Sequence, residues 1–141
     1  MAINTGKVVA GGLLAGLAFN LGDFLINGVL MAADNAAAMS RLGLDPAAMQ
    51  TAAVALSWIA VDFLFGLLVV WTYAAMRPRF GPGARTAVLA AFPIFSAATL
   101  VLFGFTSMGV FTFDIFIKGT IFSAVNVVIG SIAGAWLYTE G

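Results

Sequence analysis

Four apolar runs of about 24 residues fill most of this 141-residue chain, and each is long enough to cross the ~30 Å hydrocarbon core of a bilayer as a helix. No other feature limits the possible folds as much. The runs are continuously apolar rather than alternating, which argues against a membrane barrel and leaves helices as the spanning form. Charge agrees with this. Only 9% of the residues are Asp, Glu, Lys or Arg, where a soluble domain carries roughly 25%. The expected fold is all-α: one transmembrane domain, a four-helix bundle, with helices over about 7–31, 46–76, 84–108 and 114–138.

Boundary chemistry sets those limits. Asp45-Pro46 reads as an N-cap with proline at the first helical position, so the second helix is expected to start ahead of its membrane crossing at Thr51. Arg77-Pro78 is expected to end it, and Phe80-Gly81-Pro82-Gly83 to form a tight connection. Gly109 closes the third helix and Asp114 caps the fourth. Asp34 to Leu42 suits a short interfacial helix stopped by Gly43. Pro93 lies inside the third helix and is expected to kink it, freeing the Leu89 carbonyl.

Several chemistries are excluded by composition. The chain has no Cys and no His, which removes thiolate nucleophiles, iron–sulfur clusters, the usual zinc ligands, His-ligated haem and a Ser-His-Asp triad. No cofactor or metal is expected. The net charge is zero, so nothing draws the chain to nucleic acid. Lys7 ahead of an apolar run resembles a signal peptide, but the run is too long and carries Asn20, Asp23 and Asn27, which favours a retained first span. Lys7, Arg77, Arg79 and Arg85 fall at one end of the expected bundle. The positive-inside rule then puts both termini in the cytoplasm. Trp71, Tyr73, Trp136 and Tyr138 would form an aromatic belt at that interface.

Inside the runs stand Asp23, Asp62 and Lys118. A charge within hydrocarbon is costly, so each is a functional candidate to be weighed against a structural role. Gly12, Gly16, Asn20, Asp23 and Asn27 form one stripe of the first helix, and Gly119, Ser123, Asn126, Gly130 and Gly134 form one on the fourth. Trp58, Asp62 and Gly66 share a face of the second. Small residues allow backbones to approach, so the first and fourth helices are expected to pack along their stripes, Gly16 near Gly130, with Asp62 facing the same interior. The glycines then serve packing, and the asparagines serve as interhelical glue worth ~0.6 kcal/mol each.

Depth separates the charges. Asp23 lies about 12 Å in from the end of its run and Asp62 about 16 Å from Thr51, near the midplane, at 1.5 Å per residue. Lys118 is one turn into its helix with Asp114 four residues before it, an interfacial ion pair within reach of water. Asp62 has three routes to a satisfied state: pairing with Lys118, carrying a proton, or bonding to Asn20 or Asn126. The cluster of Phe103, Phe105, Phe111, Phe113 and Phe116 is expected to face lipid or a partner.

Three segments carry a resemblance: Leu17 to Asn27-Gly28 with its Asn-x-x-Asp, Arg77-Pro78-Arg79-Phe80-Gly81-Pro82-Gly83, and Ala133-Gly134-Ala135-Trp136-Leu137-Tyr138. Over nearly its whole length the chain resembles a group of small, four-helix bacterial membrane proteins of unassigned activity, in which Glu often stands at the position of Asp23. The resemblance implies the architecture and a bacterial cytoplasmic membrane, and transfers no site.

Three functional classes fit the sequence. The first, which the sequence favours, is a non-enzymatic component, a homo-oligomer or a subunit of a membrane complex, with the lipid bilayer as its solvent. The second is a small channel or transporter using Asp23 and Asp62 for an ion, a proton or a solute. The third is an intramembrane enzyme built on paired aspartates. Asp23 and Asp62 are at similar depth on different helices, but neither has the local motif of an intramembrane aspartyl protease. The expectation is therefore no enzyme.

Overall fold

The computed structural model describes residues 3–139. Five α-helices follow in order: α1 (Thr5–Leu25), α2 (Ala32–Arg41), α3 (Ala52–Phe80), α4 (Ala84–Ser107) and α5 (Phe113–Leu137). A π-helical turn, Ile26–Leu30, extends α1, and a 3₁₀ turn, Pro46–Met49, precedes α3. Four segments, Thr5–Leu30, Ala52–Phe80, Ala84–Ser107 and Phe113–Leu137, are long and apolar enough to span a membrane. Their outward faces carry large apolar side chains such as Leu21, Phe24, Leu64, Leu100 and Ile121, each more than half exposed. Contiguous apolar surface of this extent is unfavourable in water and suits hydrocarbon.

The spanning helices form a ring in the order α1, α3, α4, α5, with α1 packed on both α3 and α5. Glycines set how closely the backbones approach. A Cβ on Gly16 would stand 2.7 Å from the Phe63 Cα, and one on Gly12 would stand 2.8 Å from the Leu67 Cα. Gly66 faces the backbone of Gly12 and Gly16 in return. The Gly12/Gly16 stripe therefore belongs to α3, not to α5 as its helical face suggested. The α1–α5 contact is real but uses other residues: Gly11 meets Gly134, and Gly130 accommodates the Phe19 ring. A stripe of small residues says that a backbone can come close, and it does not say whose. Gly119 makes no such close approach; its nearest neighbour is the flexible end of Met31.

Packing is uneven along the bundle. At the end holding Lys7, Arg77 and Arg85, a core of Val8, Ala15, Val69, Val70, Ala87 and Ala90 is sealed from solvent. Tyr73 and Tyr138 belong to this core, 2% and 3% exposed, with rings edge-on at 5.9 Å. Their hydroxyls accept from the backbone N–H of Gly83 (3.0 Å) and Asn4 (3.3 Å). They are a bolt across the helix ends rather than members of an interfacial belt; of that set only Trp71 and Trp136 face outward. A buried phenol needs a partner, and these two find one in the connecting backbone.

Several boundaries differ from expectation. Thr51, not Asp45, caps α3, accepting from the Val54 N–H at 3.4 Å, while Asp45 caps only the 3₁₀ turn. Thr112, not Asp114, caps α5. α3 runs through Pro78 to Phe80, because a proline in the last turn removes a single backbone bond and Gly81, at φ 80°, supplies the turn. α2 closes at Gly43 (φ 73°), where the Leu44 N–H reaches the Met39 carbonyl and the Gly43 N–H the Ser40 carbonyl. That pair of bonds is a Schellman motif, and Gly109 repeats it after α4.

Candidate functional site

Beyond the sealed core a cavity lies among the helices. The buried residues of α4 up to Ala91 are Thr86, Ala87, Ala90 and Ala91, small enough for close contact. Past Pro93 the helix instead contributes Phe95, Thr99 and Leu102 to the wall of a cavity of about 330 Å³. Pro93 lies in the helix between these two stretches.

Asp23 of α1 and Asp62 of α3 lie against this cavity. Asp62 is only 8% exposed and points into the bundle. Its carboxyl is within hydrogen-bonding range of the Asp23 carboxyl. Asn126 of α5, 7% exposed, completes the group: its Nδ2 donates to Asp23 Oδ1 at 2.9 Å and to the Phe19 carbonyl at 3.1 Å. Gly22 makes this possible, since a Cβ there would overlap the Asn126 amide. Neither Gly22 nor Phe19 stood out in the sequence, because a glycine on a helix shows its use only against its neighbour.

The polar candidates do not all converge. Asn20 turns toward α3, its Nδ2 donating to the Gly16 carbonyl (2.8 Å) and more weakly to the Ile59 carbonyl (3.4 Å). Asn27, in the π turn, lines the cavity and donates to the Asp23 carbonyl at 3.2 Å, while its Oδ1 accepts from Asn35. A π turn widens the helix just after Asp23, a placement frequent at functional sites. Lys118 does not join the site. It lies on the surface between Asp34 (3.3 Å) and Asp114 (2.8 Å), tying α2 to α5. Arg41 makes a second tie, donating to the Val110 carbonyl at 3.0 Å.

The remaining walls are apolar and aromatic, with Trp58, Phe65 and Phe116 among them, and Thr99, Thr120 and Ser123 add hydroxyls. Phe111 and Phe116 therefore face the cavity rather than lipid, whereas Phe103 and Phe113 lie outside it, one tilted and one edge-on against Phe116. Among the lining residues Asp23 and Asp62 are the only ionisable groups. Among the described residues no amide, hydroxyl or cationic group donates to the Asp62 carboxyl, and the side chain it interacts with is Asp23. No three Asp, Glu, His or Cys side chains gather among the described residues, so these two carboxyls are the anionic donor set. A hydrogen bond between two carboxyls needs a proton on one of them, and two charged carboxylates need a cation. Either arrangement calls for a proton or a cation at the pair.

No protein-family model, curated protein or solved structure matches the chain.

Proposed function

We propose that this chain is a small, multi-pass membrane protein that takes up a cation or proton at the Asp23–Asp62 pair as part of solute or ion transport. The observation carrying this reading is the pairing of two intramembrane carboxyls on a 330 Å³ cavity whose lining holds no basic side chain. Intramembrane carboxyls of this kind mark ion pathways and proton relays. Because Lys118 is engaged by Asp34 and Asp114, the compensating charge has to come from outside the bundle. Binding and release, with no bond chemistry, is the natural work of such a site, and the reading is non-enzymatic.

The cluster of Lys7, Arg77, Arg79 and Arg85 favours that end as cytoplasmic, in a bacterial inner membrane, with the cavity toward the external side. Reconstituted protein tests the reading. Proteoliposomes holding a pH-sensitive dye are expected to show flux under an imposed gradient, and Asp62→Asn is expected to abolish it while the protein stays folded. Unchanged flux in the Asn variant would end the role of Asp62.

One observation favours a second reading. The core around Val69, Val70 and Tyr73 closes the far end of the bundle, so the cavity does not continue through it. A binding subunit that pairs with itself or with other membrane proteins, and does not conduct alone, fits that closure. Such a protein would bind the cation and show no flux until its partner is present.

A further inference from the structure

We infer that the ligand of the Asp23–Asp62 cavity is a small organic ammonium ion: one positive N–H-bearing group on an apolar, aryl-sized body. This rests on the cation-site reading above and names its substrate class.

Three features of the cavity point the same way. First, the Asp62 carboxyl is short of donors. Asp62 is more than nine-tenths buried, aims at the cavity and has only a second carboxyl beside it, while both Asn126 amide hydrogens are already committed to Phe19 and Asp23. A group that brings several N–H donors and no acceptor, as an ammonium does, supplies what is missing. Second, most of the wall is carbon, with Phe19, Phe65, Phe95 and Phe116 lining it. Beside the carboxyls and Asn126 it offers the hydroxyls of Thr99, Thr120 and Ser123 and the amides of Asn27 and Asn35. That surface suits an apolar body better than the 6–8 oxygens of calcium or the near-octahedral set of magnesium. Third, the volume is wrong for a proton alone. A cavity of about 330 Å³ is at the lower end of the size range that encloses small organic ligands. Aromatic faces near a cation attract it further when the site is desolvated. A hydrocarbon or a lipid tail would fill the apolar volume but bring no donor to Asp62.

Isothermal titration of the intact protein in nanodiscs, with empty nanodiscs as baseline, tests this with 2-phenylethylammonium and with propylbenzene, its neutral equivalent in shape. The ammonium is expected to bind saturably, and propylbenzene is expected not to. Asp62→Asn is expected to weaken ammonium binding at least ~10-fold, the size of one lost charged hydrogen bond. Phe95→Ala, in the unpacked part of α4, is expected to weaken it as well and keeps the test open if the Asn variant fails to fold. Equal binding of propylbenzene would overturn the inference in favour of an uncharged or lipid occupant. No ammonium binding together with Asp62-dependent proton flux would overturn it while leaving the cation-site reading intact. Absence of both would remove the two together.

Discussion

Asn126 on α5 donates to the Asp23 carboxylate on α1 at 2.9 Å, a bond across 103 positions of sequence that lies between two helices already brought together by Gly11 and Gly134. The same amide group caps the Phe19 carbonyl at 3.1 Å, so one side chain both locks the helix pair and holds one wall of the acidic site. Asn126→Ala is expected to destabilise the bundle by ~1 kcal/mol, the scale of an interhelical hydrogen bond in a membrane protein. Denaturant unfolding in mixed micelles measures it. A loss of several kcal/mol would show that Asn126 carries the helix contact and not only the bond.

Gly66 and Gly104 offer a matched contrast. A Cβ on Gly66 would overlap the Gly12 carbonyl, which is backbone and cannot turn aside, whereas nothing stands within 4 Å of a Cβ on Gly104. Gly66→Ala is expected to cost ~1–3 kcal/mol by overpacking. Gly104→Ala is expected to be neutral or to stabilise by up to ~1 kcal/mol through helix propensity. Unfolding curves of the two variants side by side decide it, and equal effects would place the α1–α3 contact elsewhere.

α2 is tied down from two sides, by the Asp34–Lys118 ion pair and by Arg41 on the Val110 carbonyl. Both ties are solvent-exposed, and exposed pairs contribute ~0–1 kcal/mol. Arg41→Ala is therefore expected to leave global stability unchanged while raising hydrogen exchange in α2. Mass spectrometry of the exchanged protein resolves the segment. Unaltered protection across residues 32–41 would mean that packing, not these ties, holds the helix.

The absence of Cys from the chain makes topology directly measurable. Leu42→Cys, in the loop after α2, is expected to react in intact cells with a membrane-impermeant maleimide. Pro82→Cys, between α3 and α4, is expected to react only after the membrane is opened. The opposite pattern would put the cavity on the cytoplasmic side.

The sequence by itself determined that four segments are apolar and long enough to span a membrane. The reason is local: length and hydrophobicity are properties of a segment, and hydrocarbon accepts a lone segment only as a helix. The Gly43 and Gly109 helix ends were legible for the same reason, because a residue at positive φ announces itself by its type. Depth along each run also marked Asp23 and Asp62 as intramembrane residues at similar height.

Pairing was decided only by the tertiary structure. Helical periodicity gives the face of a residue but not the helix opposite it, so the Gly12/Gly16 stripe was matched to α5 when its partner is Gly66 on α3. Tyr73 and Tyr138 have the composition of an interfacial belt, yet each finds a backbone donor and is buried. That the two aspartates meet, that Asn126 holds one of them, and that a cavity opens beyond Pro93 all depend on how four helices are turned about their axes. That rotation is set by side-chain fit between neighbours, which is a property of pairs of helices and is written in no single one of them.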